Sequence, residues 1–461
     1  MSEPLARAAY ALLLRAAMPL YFLRLWWRGR REPAYREHWR ERLGLPPVPG
    51  VQPLPGRLWL HAVSLGETLA AAPLVHALRD QHPGLRLLLT HSTATGREAG
   101  TALLRDGDAQ AWLPYDTPGA VRRFLRAHRP AAGVVMETEI WPNLLHAAQA
   151  AGVPMVLANA RLSARSATKG ERLAVLLHAA LARFSGVLAQ TESDAQRLRE
   201  AGADEVRVMG NLKFDISPRP ELLMRGRAWR AALGRPVVLA AVTREGEEAA
   251  LLAVWAAQAA APHTTSDATS RGPAGGPPPR PLLLIVPRHP QRFDEVVGLV
   301  TQAGWRLQRR GEWGEAPPAE AAEADVWLGD SLGEMALYYG CADVALLGGS
   351  FAPLGGQNLI EAAACGCPLL MGSHTFNFAQ AAVDALAAGA AERAVDLPAA
   401  VARALALAAG EAQPARLAMA ARALAFAQAH RGAAARMAAA VQTLIECASS
   451  ADRTGRTSIE R

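Results

Sequence analysis

The run LWLHAVSLGE (Leu58–Glu67) decides the fold. Leu58–Val63 is apolar apart from His61, which predicts a strand buried on both faces, because strands of parallel sheets read as unbroken apolar runs. Ser64-Leu65-Gly66 predicts a tight turn, and Glu67 the opening of a helix. A carboxylate is thereby set where a strand ends and a helix begins, the rim at which open α/β sheets bind ligands. Gly66 has no side chain to keep a hydroxyl away from Glu67. Ser64-x-x-Glu67 also reads as a capping box, in which the two side chains satisfy free N–H groups of the first helical turn. These residues alone leave both readings open.

Strand-then-helix units continue outward from this run. Strands are predicted at Leu58–Val63, Arg86–Thr90, Gly133–Glu137, Val153–Ala158, Gly186–Gln190 and Val206–Val208, with helical patterns between most of them. Such alternation builds a parallel sheet covered by helices on both faces. The proline-containing run Asn211–Pro220 predicts a domain linker. A second series follows at Pro236–Val242, Pro281–Val286, Val326–Leu328, Asp343–Leu347 and Pro368–Met371. The expected organisation is an N-terminal helical segment (1–45), a first α/β domain (46–215), a second α/β domain (216–448) and a flexible tail (449–461). Within the second domain, Pro262–Pro281 is rich in Gly, Pro, Ser and Thr and reads as a disordered surface insertion.

Hydrophobic residues make up 51% of the 461, enough for two cores, and the net charge is +7. Lys169 and Lys213 are the only lysines, so the basic charge is almost all arginine. Arginine binds phosphate and carboxylate through a planar fork. Zinc-finger spacing, RNP-like strands and basic heptads are all missing, which argues against a nucleic-acid partner. Cys365-Gly-Cys367 is too tight for a CxxC redox or zinc site and reads as core in a reducing compartment. Near the N-terminus, Ala8–Leu14 and Ala16–Leu23 are apolar, Trp26 and Trp27 follow, and Arg28, Arg30, Arg31, Arg36, Arg40 and Arg42 flank them. Arg7, Arg15, Arg24 and Pro19 interrupt the run, so an interfacial helix on an anionic membrane surface is expected rather than a spanning one.

Chemistry-bearing residues gather at the strand ends. Gly348-Gly349-Ser350-Phe351 and Gly355-Gly356-Gln357-Asn358 precede a helix containing Glu361, a pattern that would offer backbone N–H groups to a phosphate. Thr243 follows another strand, where it would cap a helix or touch phosphate, and Arg288 follows a third, as a clamp for phosphate or carboxylate. In the first half, Glu137 and Glu139 stand at i and i+2 of a strand end, which would aim both to one side of the pleat. Thr90–Gly96, with Thr95, is a hydroxyl-rich loop.

Taken together, HAVSLGE, THSTATG, LPYDTP, METEIWPN, ANARLS, AQTESD, GNLKFD, PRHP, the GGSF…GGQN-x-x-E block and MGSHTFNF resemble the 3-deoxy-D-manno-oct-2-ulosonic acid (Kdo) transferase family, in the family's order, from about Leu58 to Gln380. The resemblance implies a GT-B fold, two Rossmann-like domains facing across a cleft, behind a membrane-associating N-terminal helix. It implies inverting transfer of Kdo from CMP-Kdo to the lipid A precursor lipid IVA, at the cytoplasmic face of the inner membrane, with no metal or other cofactor. Glu67 would be the general base. Ser64, Gly66, Thr95, Glu137 and Glu139 would form the acceptor or transition-state site. Thr243, Arg288, Gly348, Gly349, Ser350, Gly355, Gly356, Asn358 and Glu361 would contact the donor. Many members carry histidine where Gln357 stands, and a threonine-histidine pair where Thr243-Arg244 stands. The rival readings are a UDP-sugar GT-B enzyme, either a glycosyltransferase or a 2-epimerase, and a non-catalytic membrane-bound polyanion-binding protein.

Overall fold

The structure, a computed structural model, describes residues 2–30, 32–46, 55–163, 166, 174–259 and 280–457, and of 259, 445 and 447–457 the backbone alone. The chain forms two compact units, Met1–Ile216 with Arg431–Arg461, and Ser217–His430.

In the first unit the strands are β1 (Leu58–His61), β2 (Leu87–His91), β3 (Ala109–Trp112), β4 (Ala132–Met136), β5 (Met155–Ala160), β6 (Gly186–Ala189) and β7 (Val206–Val208). Among the described residues they form one parallel sheet in the order β3-β2-β1-β4-β5-β6-β7. Alternate residues feed opposite faces, as the two-residue period of a strand requires. Trp59, Leu88, Val135 and Leu157 fill one core. Leu58, Leu60, Leu87, Leu89, Val134, Met136 and Val156 fill the other.

The second unit holds β8 (Val237–Thr243), β9 (Leu282–Pro287), β10 (Leu307–Arg309), β11 (Val326–Leu328), β12 (Val344–Leu347), β13 (Leu369–Met371) and β14 (Ala391–Arg393). Its parallel sheet runs β10-β11-β9-β8-β12-β13-β14. Strands β3, β10 and β14 escaped the sequence reading. Each is a sheet edge, paired on one side and partly exposed, so it carries no unbroken apolar run.

Two boundaries differ from expectation. The helix Ala433–Thr457 was assigned to the second domain, but Ala433, Met437, Ala438 and Val441 sit in the Leu58/Leu60 core of the first unit. The helix also continues past Ser449, where a flexible tail was expected. Its apolar stripe is visible in the sequence, but the sheet it covers is not. The run Asn211–Pro220 contains the change of unit at Ile216, yet it is not slack: Leu212 and Phe214 are buried. Asp215 accepts the N–H groups of Gly432 and Ala434, both at 2.6 Å, which caps the returning helix. The Pro262–Pro281 insertion lies outside the described residues except for its last two.

The N-terminal helix Glu3–Arg28 is unbroken through Pro19. With 26 residues and an 18-residue window of mean hydropathy 1.3, it is long and apolar enough to cross a membrane, by length and composition, although its apolar runs are interrupted. Arg183 pairs with Glu3 at 2.7 Å, and Tyr21 and Phe22 pack on Tyr115. Leu5, Leu12, Leu20, Leu23 and Trp27 stay exposed, at spacings that place them on one helical face. At 3.6 residues per turn, Arg15 and Arg24 fall on its two flanks. Cys341, Cys365 and Cys367 are buried free thiols, as expected of core residues.

Candidate active site

The first unit's strand order reverses between β1 and β4, which makes the carboxyl ends of these two strands its switch point. Glu67 follows β1 and Glu137 follows β4. The helix Leu65–Gln81 starts earlier than expected, with Ser64 as its cap. Ser64 Oγ accepts the Glu67 N–H at 3.5 Å, and Glu67 Oε2 accepts the Val63 N–H at 2.8 Å. Ser64 therefore caps the helix, while Glu67 reaches back past the cap to the Val63 N–H, and these contacts fix the carboxylate rather than competing with its use. Burial pushes the Glu67 carboxyl up to about 7, and the charges of Glu137 and Glu139 add to burial against the pull of the Val63 N–H. A carboxylate poised near neutrality suits a general base. A Cβ built on Gly66 would meet nothing within 4 Å, so packing does not require this glycine and the space at its Cα is open.

Glu137 and Glu139 reach this site by a different route from the one the sequence suggested. β4 ends at Met136, and Glu137 has φ 58°, so the strand's two-residue alternation does not govern them. The left-handed turn swings Glu137 beside Lys213, with Nζ to Oε1 at 3.4 Å. A non-glycine residue held there is strained and is characteristic of functional sites. Burial and Glu137 raise the Glu139 carboxyl as well. Lys213 was not singled out from the sequence. The signal was present: it is one of two lysines in an arginine-rich chain, inside GNLKFD. Its turn is pinned to the ends of β5 and β6. Leu212 N–H donates to Asn159 Oδ1 at 3.1 Å, and Asn211 Nδ2 donates to Gln190 Oε1 at 3.0 Å. Thr95 takes no part in capping. Thr93 caps the helix Ala94–Thr101, and Thr95 is exposed in its first turn.

In the second unit the strand order reverses at β8 and β12. The glycine turns here do not offer a row of open N–H groups. Gly348 N–H donates to Ala241 O at 2.9 Å, Gly349 N–H to the Glu247 carboxylate at 2.8 Å, Ser350 N–H to Leu347 O at 3.3 Å and Gly356 N–H to Gly349 O at 2.8 Å. Their glycines serve shape: a Cβ on Gly348 would lie 2.4 Å from Val242 O. Ser350 is fully buried, and its Oγ accepts the Gly372 N–H at 2.9 Å. Gly355 and Gly356 are buried with positive φ. Thr243 donates its hydroxyl to the buried Glu248 at 2.7 Å, and Asn358 Oδ1 caps its helix through Ile360 N–H at 3.2 Å. Two expected donor residues keep chemistry to spare. Arg288 is exposed as a residue, but its guanidinium is part-buried where it donates to the neutral amide oxygen of Gln357. Glu361 is half-buried, burial raises its carboxyl, and its carboxylate has no hydrogen-bond or ion-pair partner among the described residues. A cavity of about 360 Å³, lined in part by Thr243, Gly246, Glu247, Gly348 and Phe351, adjoins these loops.

Comparison with known proteins narrows what these rims serve. A family profile described as "3-Deoxy-D-manno-octulosonic-acid transferase (kdotransferase)" matches residues 37–216. A 3-deoxy-D-manno-octulosonic acid transferase of Bordetella pertussis is 48% identical over 94% of this chain and 98% of its own length. The enzyme of the same name from Haemophilus influenzae is 35% identical over 81% of this chain and 83% of its own. Among solved structures, HepE of Anabaena in complex with UDP is similar, with a TM-score of 0.56 and 14% identity over 84% of this chain and 99% of that one. UDP-GlcNAc 2-epimerase from Neisseria meningitidis has a TM-score of 0.52 and 15% identity over 85% and 100%. At such identities the likeness concerns fold, and the fold class is GT-B. The extent and identity of the match to the two transferases settle the family: this chain belongs to the 3-deoxy-D-manno-octulosonic acid transferases, which are glycosyltransferases.

Proposed function

We propose that the chain transfers Kdo from CMP-Kdo to lipid IVA, with inversion at the anomeric carbon, on the cytoplasmic face of the inner membrane. The observation that carries the reading is Glu67: a half-buried carboxylate at the first unit's switch point, fixed by its cap, raised to about 7 and open to approach at Gly66. Glu67 takes the proton of the acceptor hydroxyl as that oxygen attacks C2 of Kdo, and the bond from C2 to the CMP phosphate oxygen breaks. Attack from the face opposite the leaving group inverts the centre. Lys213 holds Glu137, which with Glu139 lines the acceptor side. In the second unit Arg288 meets the charge that grows on the departing phosphate, and the unpartnered Glu361 carboxylate accepts ribose hydroxyls. The exposed apolar face of the Glu3–Arg28 helix, flanked by arginines, lies on anionic lipid and keeps the enzyme near a lipid-anchored acceptor.

The test is to incubate purified protein with lipid IVA and a CMP-Kdo generating system and to read product mass. A mass gain of one or more Kdo units, with CMP released, is expected. Turnover of a UDP-sugar instead would favour the related GT-B chemistries, and tight polyanion binding without CMP release would mean a non-catalytic protein.

A further inference from the structure

We propose that Arg244 joins Arg288 in a two-guanidinium seat for an anionic group, a phosphate or a carboxylate, at the carboxyl ends of β8 and β9; the seat deepens the reading of this unit as the donor-binding one. The two strands are parallel neighbours, and the Arg288 N–H donates to Thr243 O at 3.0 Å. Arg244 and Arg288 therefore leave the sheet at the same level. The path of the chain there is irregular. The pairing of β8 with β9 shifts register between Ala241 and Thr243, and Val242, a β-branched residue, has φ 59°. A bulge of this kind re-aims the residues that follow it, and strain of this kind collects at functional sites.

The charges around the pair do not balance locally. Arg292, the next arginine along, is neutralised by Glu248 at 2.7 Å and Glu295 at 2.9 Å. Glu247 directs its oxygens to the Gly349 and Arg244 N–H groups. Neither Arg244 nor Arg288 forms an ion pair among the described residues, and the Arg288 guanidinium meets only the amide oxygen of Gln357. The two arginines feel each other. Burial and Arg244 lower the proton affinity of Arg288, and burial followed by Arg288, Arg244 and Arg292 lowers that of His289. Burial raises the Glu247 carboxyl and the Arg244 charge bears on it to lower it, but that carboxylate is already held by two backbone N–H groups and forms no ion pair with either arginine. Two like charges held together are costly, and an anion that takes both forks offsets the cost.

Full-length wild type and Arg244→Gln should be compared for binding of CMP, cytidine and inorganic phosphate, and for steady-state kinetics with CMP-Kdo. Loss of a charge-assisted contact should weaken binding about 10- to 100-fold. If the seat holds the phosphate, CMP affinity falls by that factor while cytidine affinity does not. If it holds the donor's carboxylate, CMP affinity is kept, KM for CMP-Kdo rises by that factor, and KM for the acceptor does not change. Either result supports the seat, provided the ligand-free variant melts with wild type. Effects within twofold on both CMP and CMP-Kdo, while wild type binds them, overturn the seat and leave the donor reading standing. Should wild type bind neither, the donor reading fails, and protection against thermal unfolding by inorganic phosphate decides the seat. Protection lost in Arg244→Gln supports it, and equal or absent protection overturns it.

Discussion

Glu67 is held by its helix cap and, as the base proposed above, would serve structure and chemistry together. Its Oε2 accepts the Val63 N–H, which holds the carboxylate still, while burial and two neighbouring carboxylates keep its proton affinity high. Glu67→Gln keeps an acceptor for that N–H but cannot take a proton. Turnover should fall by ~10² to 10⁴ with the fold retained, read by steady-state kinetics beside circular dichroism. In wild type, kcat/KM should climb about tenfold per pH unit up to about pH 7 and then level, because only the ionised base works. Stability runs the other way. The folded-state pKa lies above the ordinary value of 4.5, so the contribution of this group is full below about pH 4.5 and is lost as pH rises through about 7. Glu67→Gln lacks that loss, so its melting temperature should gain on wild type between pH 5 and pH 8. Lys213→Ala makes a second prediction. It removes the cation beside Glu137, whose charge then bears more strongly on Glu67. The acid limb of kcat/KM should move to higher pH and turnover at pH 7 should drop, and a pH profile identical to wild type would refute the coupling.

At the scale of elements, the helix Glu3–Arg28 separates docking from surface. Glu3, Tyr21 and Phe22 hold it to the first unit, while Leu12, Leu20 and Leu23 remain 67%, 70% and 59% exposed. Replacing these three leucines with serine should leave the unit folded and abolish pelleting with anionic vesicles. Burying a leucine is worth roughly 1.5–3 kcal/mol, so losing three outweighs the arginine attraction that remains. Wild type should pellet and be released in part by high salt. Attachment of the triple variant equal to wild type would exclude this face as the contact.

For the whole molecule, the last helix matters most. Ala433–Thr457 is remote in sequence from β1, yet Met437 and Val441 are completely buried against Leu58, Leu60 and Val134. Ending the chain after His430 should therefore damage the first unit and spare the second. Met437→Ala alone should cost about 2–5 kcal/mol, as large-to-small changes in a core do. Urea unfolding followed at both units would check it, with loss of the first transition expected in the truncated chain.

Local signals carried much of this protein. The unbroken apolar runs at Leu58, Leu87, Val134, Val237 and Leu282 marked central strands because a parallel sheet buries both faces of each. Ser64 was readable as the cap because capping depends on residues three apart. What depends on distant partners was not readable. The edge strands β3, β10 and β14 carry little apolar signal because a single neighbour holds them. Lys213 meets Glu137 because a left-handed residue turns the chain after β4, and the Gly349 N–H of the glycine turn is filled by Glu247 from the start of another helix. The sequence by itself determined two doubly wound α/β units and the strand-end turns where polar and glycine residues gather, since period and turn chemistry are local. Only the tertiary structure decided which sheet the final helix covers and which charges remain unpaired, because both depend on residues brought together from far along the chain.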